Sequence, residues 1–543
     1  MTVVDDAKAW IAQDPDEETR AELTALLDDE AALTERFATR LTFGTAGLRG
    51  EIGAGPSRMN RVLVAQAAAG FAAWLLARGG QQSVVIGYDG RKNSSIFAKD
   101  TAEIMQAAGV TATLFDRALP TPVLAFAVRH LGATAGVMVT ASHNPAADNG
   151  YKVYLGGLDG GSQIVSPADA EIEKAILAVG PVNELPRTTD YQTAAEEVVA
   201  AYIAQTAALR TSTEPAPRFV YTAMHGVGWQ TASAVFAAAG LGAPDVVEEQ
   251  RDPDPTFPTV SFPNPEEEGA LDLSIALAQK TGADLVVAND PDADRLAIAI
   301  PADGSWRRLS GNEVGSLLGW RAAERLEQSD APDARGTLAA SLVSSPALAE
   351  IARKYNLDYA ETLTGFKWIS RVGGLAYGYE EALGYLVDPA KVRDKDGISA
   401  AVDFLSLVAE LQAQGTTLAE HQAAFDERFG AYASAQISIR VTDLAAIGAT
   451  MDRLRANPPA TVGDQRVDSV DDFINGFGSF GASNILRLWV GGTARVIVRP
   501  SGTEPKLKVY IDAWSRTGSA AERRASAEAQ VAALDAAMRE LVA

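Results

Sequence analysis

Short apolar runs alternate with amphipathic stretches along most of this chain. Ser83-Val84-Val85-Ile86-Gly87-Tyr88 has strand length, and Val110–Phe115 and Gly136–Val139 repeat it. Between them, Asp89-Gly90-Arg91-Lys92-Asn93-Ser94 reads as a turn opening a helix, and Pro122–Leu131 as a second helix. The alternation restarts with the strand Arg218–Ala223, the turn His225-Gly226-Val227-Gly228, a helix and the strand Asp284–Ala288. The helix Glu313–Glu327 opens a third unit that runs to about residue 430. Strands alternating with helices predict mostly parallel pairing, with ligands at the carboxyl ends of strands. After Ala431 the pattern changes. Ile437-Ser438-Ile439-Arg440-Val441 alternates residue by residue, 485–514 is strand-rich, and 519–542 reads as an Ala/Glu-rich helix. Residues 1 to about 40 read as helical, with an acidic helix start at Asp14-Pro15-Asp16-Glu17-Glu18. The expected class is α/β with mixed sheets in four domains: 1–210 with a helical extension, 211–312, 313–430, and a smaller α+β domain at 431–543.

Composition narrows the chemistry. The 543 residues include no cysteine, which excludes disulfides, thiolate catalysis and cysteine zinc sites. The four histidines, at 130, 143, 225 and 421, are scattered. A formal net charge of −23, from 47 basic and 70 acidic side chains, argues against nucleic acid and anionic membrane as partners. No apolar stretch reaches the ~18–20 residues of a membrane span. The start Met1-Thr2-Val3-Val4-Asp5-Asp6 lacks a signal-peptide pattern, so a cytoplasmic location is expected. An anionic substrate would require basic residues gathered locally against the global field.

Five loops carry chemistry. The strand ending at Val139 breaks into Thr140-Ala141-Ser142-His143-Asn144-Pro145, where a hydroxyl beside an imidazole is placed to act as a nucleophile. The competing reading is a capping turn. The strand ending at Ala288 runs into Asn289-Asp290-Pro291-Asp292-Ala293-Asp294-Arg295. Bare carboxylates ~4 Å apart repel by about 4 kcal/mol per pair at an effective dielectric near 20, so a hard divalent cation is the natural occupant. An EF-hand is excluded, because its sixth position is Arg295 and its twelfth Pro301. In Leu41–Gly50, three glycines and Arg49 suit a loop that forks onto a phosphate. Gly378–Tyr385 places Glu380 and Glu381 where they can accept hydrogen bonds from sugar hydroxyls; solvated loop acids would read identically. Arg499-Pro500-Ser501-Gly502-Thr503-Glu504-Pro505-Lys506-Leu507-Lys508 holds the inventory of a phosphate cradle, or of a structural turn.

With Thr140–Pro145, Asp290–Arg295, Gly378–Gly384 and Arg499–Thr503 in this order, the chain resembles the α-D-phosphohexomutase superfamily from about residue 40 to 515. The resemblance implies three domains of similar α/β fold and a fourth, arranged around a central cleft. It implies that Ser142 is a phosphoserine, and that Asp290, Asp292 and Asp294 hold Mg²⁺ together with it. Glu380 matches the sugar-contacting glutamate, and Thr364 and Gly365 match a loop that touches the sugar. Arg499, Ser501, Gly502, Thr503 and Lys508 match the grip on the non-reacting phosphate, and Arg295 sits beside the phosphoryl group. Arg49, His143, Lys152 and Lys395 match positions with acid–base or charge-stabilising roles. Ala382 stands where many members carry a serine, and the Glu380–Gly384 form is similar to a branch of bacterial phosphoglucomutases and phosphopentomutase-like enzymes. The implied reaction exchanges hexose 1-phosphate and 6-phosphate, glucose ahead of mannose, through a sugar 1,6-bisphosphate that also serves as activator. The alternatives are a phosphopentomutase of the same fold, a metal-dependent phosphohydrolase, and a silent sugar-phosphate-binding protein.

Overall fold

The computed structural model describes residues 2–542 apart from 45–46, 303, 330–334, 442–443 and 502–505. By internal packing the chain forms two compact units, Met1–Leu309 with Gly384–Ala409, and Ser310–Leu383 with Glu410–Ala543.

The first unit opens with helices Val3–Gln13, Glu17–Ala25 and Glu30–Phe37. Thr2 and Asp5 form a reciprocal capping box on the first, and Asp16 caps the second through the Glu18 amide. Two sheets follow. The first contains β1 (Leu48–Glu51), β2 (Ser83–Tyr88), β3 (Thr111–Leu114), β4 (Ala135–Val139), β5 (Asp148–Leu155), β6 (Ser162–Gln163) and β7 (Gln192–Thr193). Its order is β1-β5-β4-β2-β3-β7, with β6 beside β5. β4, β2, β3 and β7 run parallel, whereas β5 is antiparallel to both β4 and β1. Every residue of β4 is buried, which is why it reads as an unbroken apolar run. The second sheet, β8 (Phe219–Thr222), β9 (Asp245–Val246), β10 (Leu285–Ala288), β11 (Ala297–Ala302) and β12 (Ser305–Arg308), has the order β12-β11-β10-β8-β9. Both sheets therefore place a third strand beside the first, and the second strand beyond it, all parallel. An antiparallel strand then follows on the outer side of the third.

The second unit repeats that parallel order in β13 (Thr337–Ser341), β14 (Asp358–Thr362) and β15 (Leu375–Glu380), arranged β14-β13-β15. The chain then passes through β16 (Gly384–Leu386) in the first unit's segment. The last sheet is antiparallel throughout, in the order β17-β22-β21-β20-β19-β18. Its strands are β17 (Ala431–Arg440), β18 (Thr461–Val462), β19 (Gln465–Asp472), β20 (Leu486–Val490), β21 (Ala494–Pro500) and β22 (Lys506–Ser515). The closing helix Ala520–Val542 buries Val531, Leu534 and Met538 against it. Among the described residues, no helix is long and apolar enough to cross a membrane.

The sequence pattern predicts mostly parallel pairing and does not mark β5 as a strand. Asp148, Asn149 and Lys152 break its apolar run, yet Asn149 and Lys152 are buried because their polar groups have partners inside the fold. Within the second unit, Leu342 and Val343 pack with Phe473, Ile485, Ile497 and Tyr510, joining its two sheets. Beside them Arg495 is buried, ion-paired to Asp512 at 2.9 Å and Glu361 at 3.2 Å, and it donates to the Ser344 carbonyl. Removing one partner of a buried charge set typically costs about 3–5 kcal/mol. Arg495→Met is expected to lower the stability of the second unit by that amount, read as a fall in the urea midpoint at unchanged m-value.

Candidate active site

At the carboxyl end of β4 the chain turns sharply. Ser142 adopts φ +52°, a left-handed conformation that costs a serine about 1–2 kcal/mol. Its amide is fixed by the Thr140 hydroxyl at 2.8 Å, and the Thr140 amide bonds the Gly150 carbonyl at 3.1 Å. Gly150 is required there, since a Cβ would lie 2.6 Å from the Thr140 oxygen. The result is a hydroxyl that donates to Asp290 Oδ2 at 2.7 Å and lies 3.2 Å from His143 Nδ1.

Asp290 comes from the equivalent place in the second sheet, just past β10. Ala293, at φ +54°, turns the loop so that its amide reaches the Asp290 carbonyl at 2.8 Å. Gly226 packs against Pro291, where a Cβ would meet the backbone at 2.3 Å. One oxygen each from Asp290, Asp292 and Asp294 then lies within 4.8 Å of the others. Lys152 of β5 donates to Asp292 at 2.7 Å and to Asp294 at 2.9 Å, and Lys395 lies 3.3 Å from Asp294. The Thr121 hydroxyl donates to Asp292 at 2.7 Å. The Arg295 amide donates to Asp290 at 3.0 Å, and its Nε lies 3.9 Å from Asp294. Among the described residues, Asp292 Oδ1 and Asp294 Oδ1 are buried and accept no hydrogen bond. Buried carboxylate oxygens of this kind fit a hard divalent cation, and the three aspartates can hold one.

The charges are divided unequally. Burial, then Asp292 and Asp294, push the Asp290 carboxyl well above its ordinary value. Burial pushes Asp292 and Asp294 up as well, but Lys152 and the Thr121 hydroxyl hold Asp292, and Lys152, Lys395 and Arg295 hold Asp294, below the ordinary value. Burial lowers Lys152, yet Asp292 and Asp294 overcome it and raise the ammonium above its usual range. Lys152 is thus charged at neutral pH in this arrangement. Burial, together with Arg295 and Arg49, holds His143 well below its ordinary value, so its ring is neutral. Arg49 of β1 reaches the loop through Asn144 at 3.4 Å.

All nine residues expected around the phosphoryl group come together in the first unit: Ser142, His143, Lys152, Arg49, Lys395, Asp290, Asp292, Asp294 and Arg295. In the second unit, Glu380 ends β15, Ala382 lies in the turn beyond it, and Thr364 and Gly365 follow β14. Arg499 and Lys508 are register partners on β21 and β22, and the Ser501 amide bonds the Lys506 carbonyl at 2.7 Å. Gly502 and Thr503 lie outside the described residues. Burial raises the Tyr510 phenol, the carboxylates of Glu381 and Glu380 add to it, and Arg499 opposes it. These groups are therefore electrostatic neighbours within that unit.

Two residues were not singled out from the sequence. Thr121 grips Asp292 through both hydroxyl and amide, the latter to the Asp292 carbonyl at 2.9 Å. This threonine is the first residue of the helix Thr121–His130. Asp394 accepts from the Tyr154 hydroxyl at 2.8 Å, Gln163 at 2.7 Å and the Lys395 amide at 2.8 Å, fixing the turn that presents Lys395. In sequence it reads as a polar turn before the helix Gly397–Ala413.

Family models match the chain in four consecutive segments. They are phosphoglucomutase/phosphomannomutase alpha/beta/alpha domains I, II and III at 40–181, 200–304 and 310–428, and the C-terminal domain at 437–531. The chain is 56% identical to a "Probable phosphomannomutase" of Haemophilus influenzae, over 86% of this chain and 95% of that one. It is 35% identical to the human "Phosphopentomutase", over 94% and 91%, and 35% identical to the human "Glucose 1,6-bisphosphate synthase", over 93% and 88%. In fold it is similar to a phosphoglucomutase/phosphomannomutase family protein of Burkholderia thailandensis. There the TM-score is 0.69 and the identity 22%, over 93% of this chain and 97% of that one.

The raised carboxyl at Asp290 gives a signed pH dependence. Without a cation, the stability it contributes is fully present below the unfolded value of 3.8 and is lost as pH rises through its higher folded value. A bound cation must displace that proton. Calorimetric titration with a divalent cation is expected to show affinity tightening as pH rises toward neutrality, with proton release, and Asp290→Asn is expected to flatten the dependence.

Proposed function

From the premise that this chain belongs to the phosphoglucomutase/phosphomannomutase family, we propose that it interconverts a hexose 1-phosphate and a hexose 6-phosphate, glucose ahead of mannose. The chain is a phosphosugar mutase, an isomerase that works by phosphoryl transfer. The observation that carries the finer reading is the Ser142 hydroxyl 2.7 Å from Asp290, ringed by Lys152, Lys395, Arg295 and Arg49.

In the proposed cycle Ser142 carries a phosphoryl group. The bond from Ser142 Oγ to phosphorus breaks as a bond forms from phosphorus to the free hydroxyl oxygen of a sugar monophosphate. The sugar 1,6-bisphosphate reorients and returns its other phosphoryl group to Ser142, leaving the isomeric monophosphate. Asp290, Asp292, Asp294 and Ser142 would hold Mg²⁺, which when bound supplies neutralising charge to the phosphoryl oxygens. The sugar hydroxyl gives up its proton as its oxygen bonds phosphorus, and Ser142 Oγ takes one up as it leaves; Lys152, His143 or Lys395 would manage this proton, with neutral His143 3.2 Å from Ser142 Oγ. A phosphoserine carries about −1.5 to −2 charges, which Lys152, Lys395, Arg49 and Arg295 would offset. In the second unit, Thr364, Gly365, Glu380 and Ala382 would face the sugar. Arg499, Ser501, Gly502, Thr503 and Lys508 would grip the phosphate that does not react.

The form of the Glu380–Gly384 loop is common to phosphoglucomutases and phosphopentomutase-like enzymes, and identity to the human phosphopentomutase over most of both chains favours a second reading, a pentose phosphate. Intact mass spectrometry is expected to show one phosphate that excess sugar phosphate removes and Ser142→Ala abolishes, with kcat falling on the order of 10³-fold or more. An active enzyme that never carries this phosphate would rule out the covalent cycle. Comparing kcat/KM for glucose 1-phosphate, mannose 1-phosphate and ribose 1-phosphate decides the sugar, with glucose expected highest.

A further inference from the structure

The turn Asp89-Gly90-Arg91 at the end of β2 lends no side chain to the ring around Ser142 Oγ, yet it holds a buried arginine aimed at the nucleophile's backbone. The Arg91 side chain is 1% exposed. Its Nη1 donates to the carbonyls of Pro145 at 2.8 Å and Asp148 at 3.1 Å, and its Nη2 to those of Ser142 at 2.7 Å and Asn144 at 2.6 Å. Four carbonyl oxygens of one short loop thus converge on a single planar cation. The guanidinium is itself held: Nε lies 3.5 Å from Asp89 Oδ2, and the Phe257 ring centroid lies 5.0 Å from Cζ. Asp89 Oδ1 accepts from the Arg91 amide at 3.0 Å and the Ser94 hydroxyl at 2.6 Å, and the Asp89 amide bonds Val139 of β4 at 3.0 Å.

We propose that Arg91 is a positioning residue for phosphoryl transfer, its forked guanidinium holding the carbonyl of Ser142 so that the strained serine keeps its hydroxyl oxygen on the line to Asp290. This rests on the reading of Ser142 as the phosphoryl carrier. Ser142 is left-handed and has no glycine's freedom to stay so. Its amide is fixed by Thr140 and its carbonyl by Arg91, so both flanking peptides are pinned. A fork that spans four acceptors is a property of guanidinium that an ammonium lacks, although both carry the same charge. Lysine at this position keeps the field and loses the geometry.

The test compares Arg91→Lys and Asp89→Asn with wild type in the full-length, Mg²⁺-loaded enzyme. It measures kcat and KM for glucose 1-phosphate, the single-turnover rate of phosphoryl transfer from Ser142, and Tm. A misplacement of about 1 Å costs on the order of 10²-fold in rate, so Arg91→Lys is expected to lose that much in kcat and in the single-turnover rate. KM should stay within about threefold and Tm close to wild type. Asp89→Asn keeps the acceptor for the Arg91 amide but turns an amide donor toward Nε, and is expected to lose less kcat at unchanged KM. It supplies the reading if Arg91→Lys does not fold. Wild-type kcat in both folded variants overturns the inference while leaving the mutase reading intact. Losses that track a fall in Tm, with KM and kcat moving together, overturn it in favour of a merely structural arginine. A wild-type protein with neither mutase activity nor phosphate on Ser142 overturns both readings.

Discussion

Three aspartates from one loop meet, almost without solvent, at a point where a second sheet delivers a hydroxyl and a lysine. The rest of the first unit depends on that meeting. Lys152 bridges Asp292 and Asp294, Thr121 adds two bonds to Asp292, and Ser142 closes on Asp290. The same contacts that assemble the chemistry therefore fasten the first sheet to the second. Low dielectric sharpens the arrangement: an unpartnered carboxylate there is expensive, so each has a cation or donor, and the two oxygens left over have the chemistry of cation ligands.

The repeated strand order explains why the motifs lie where they do. In each parallel set the third strand lies beside the first, with the second strand beyond, and ligands gather at the carboxyl ends near such a reversal. Beyond the end of β4 stands Ser142, beyond β10 the aspartates, and at the end of β15 Glu380. Each loop also contains a non-glycine residue at positive φ, namely Ser142, Ala293 and Leu383. Chain reversal directly after a buried strand leaves room for few residues, and a left-handed one completes the turn quickly. In the first loop the strained residue is the proposed nucleophile itself, so backbone strain falls where side-chain direction matters most.

Electrostatics work against the molecule's overall sign. A chain with formal net charge −23 repels anions at long range, yet screening confines that repulsion to roughly 8–10 Å at moderate salt. Inside the first unit, Lys152, Lys395, Arg49 and Arg295 act at a few ångströms, where burial protects them from screening. Burial also sets the charge states. It keeps His143 neutral, while the aspartates keep Lys152 charged, so two basic residues close in space differ in protonation at neutral pH.

Much of this was legible in the residues. Unbroken apolar runs gave β2, β4, β8 and β10 to within a residue or two, because strands buried on both faces leave no polar interruption. The Asp-x-Asp-x-Asp spacing marked three carboxylates that converge where they can hold a cation. Folding alone decided what depends on partners distant in the chain. β5 was hidden because its buried Asn149 and Lys152 find their acceptors far away, Lys152 as much as 142 residues along. Thr121 drew no reading from the sequence, and Asp394 read as part of a polar turn, until their partners appeared. Arg91 read only as part of a turn opening a helix, since nothing local distinguishes a solvated arginine from one whose fork meets carbonyls more than 50 residues away. A side chain's type can be read from the sequence, but its partners are fixed only when the sheets close.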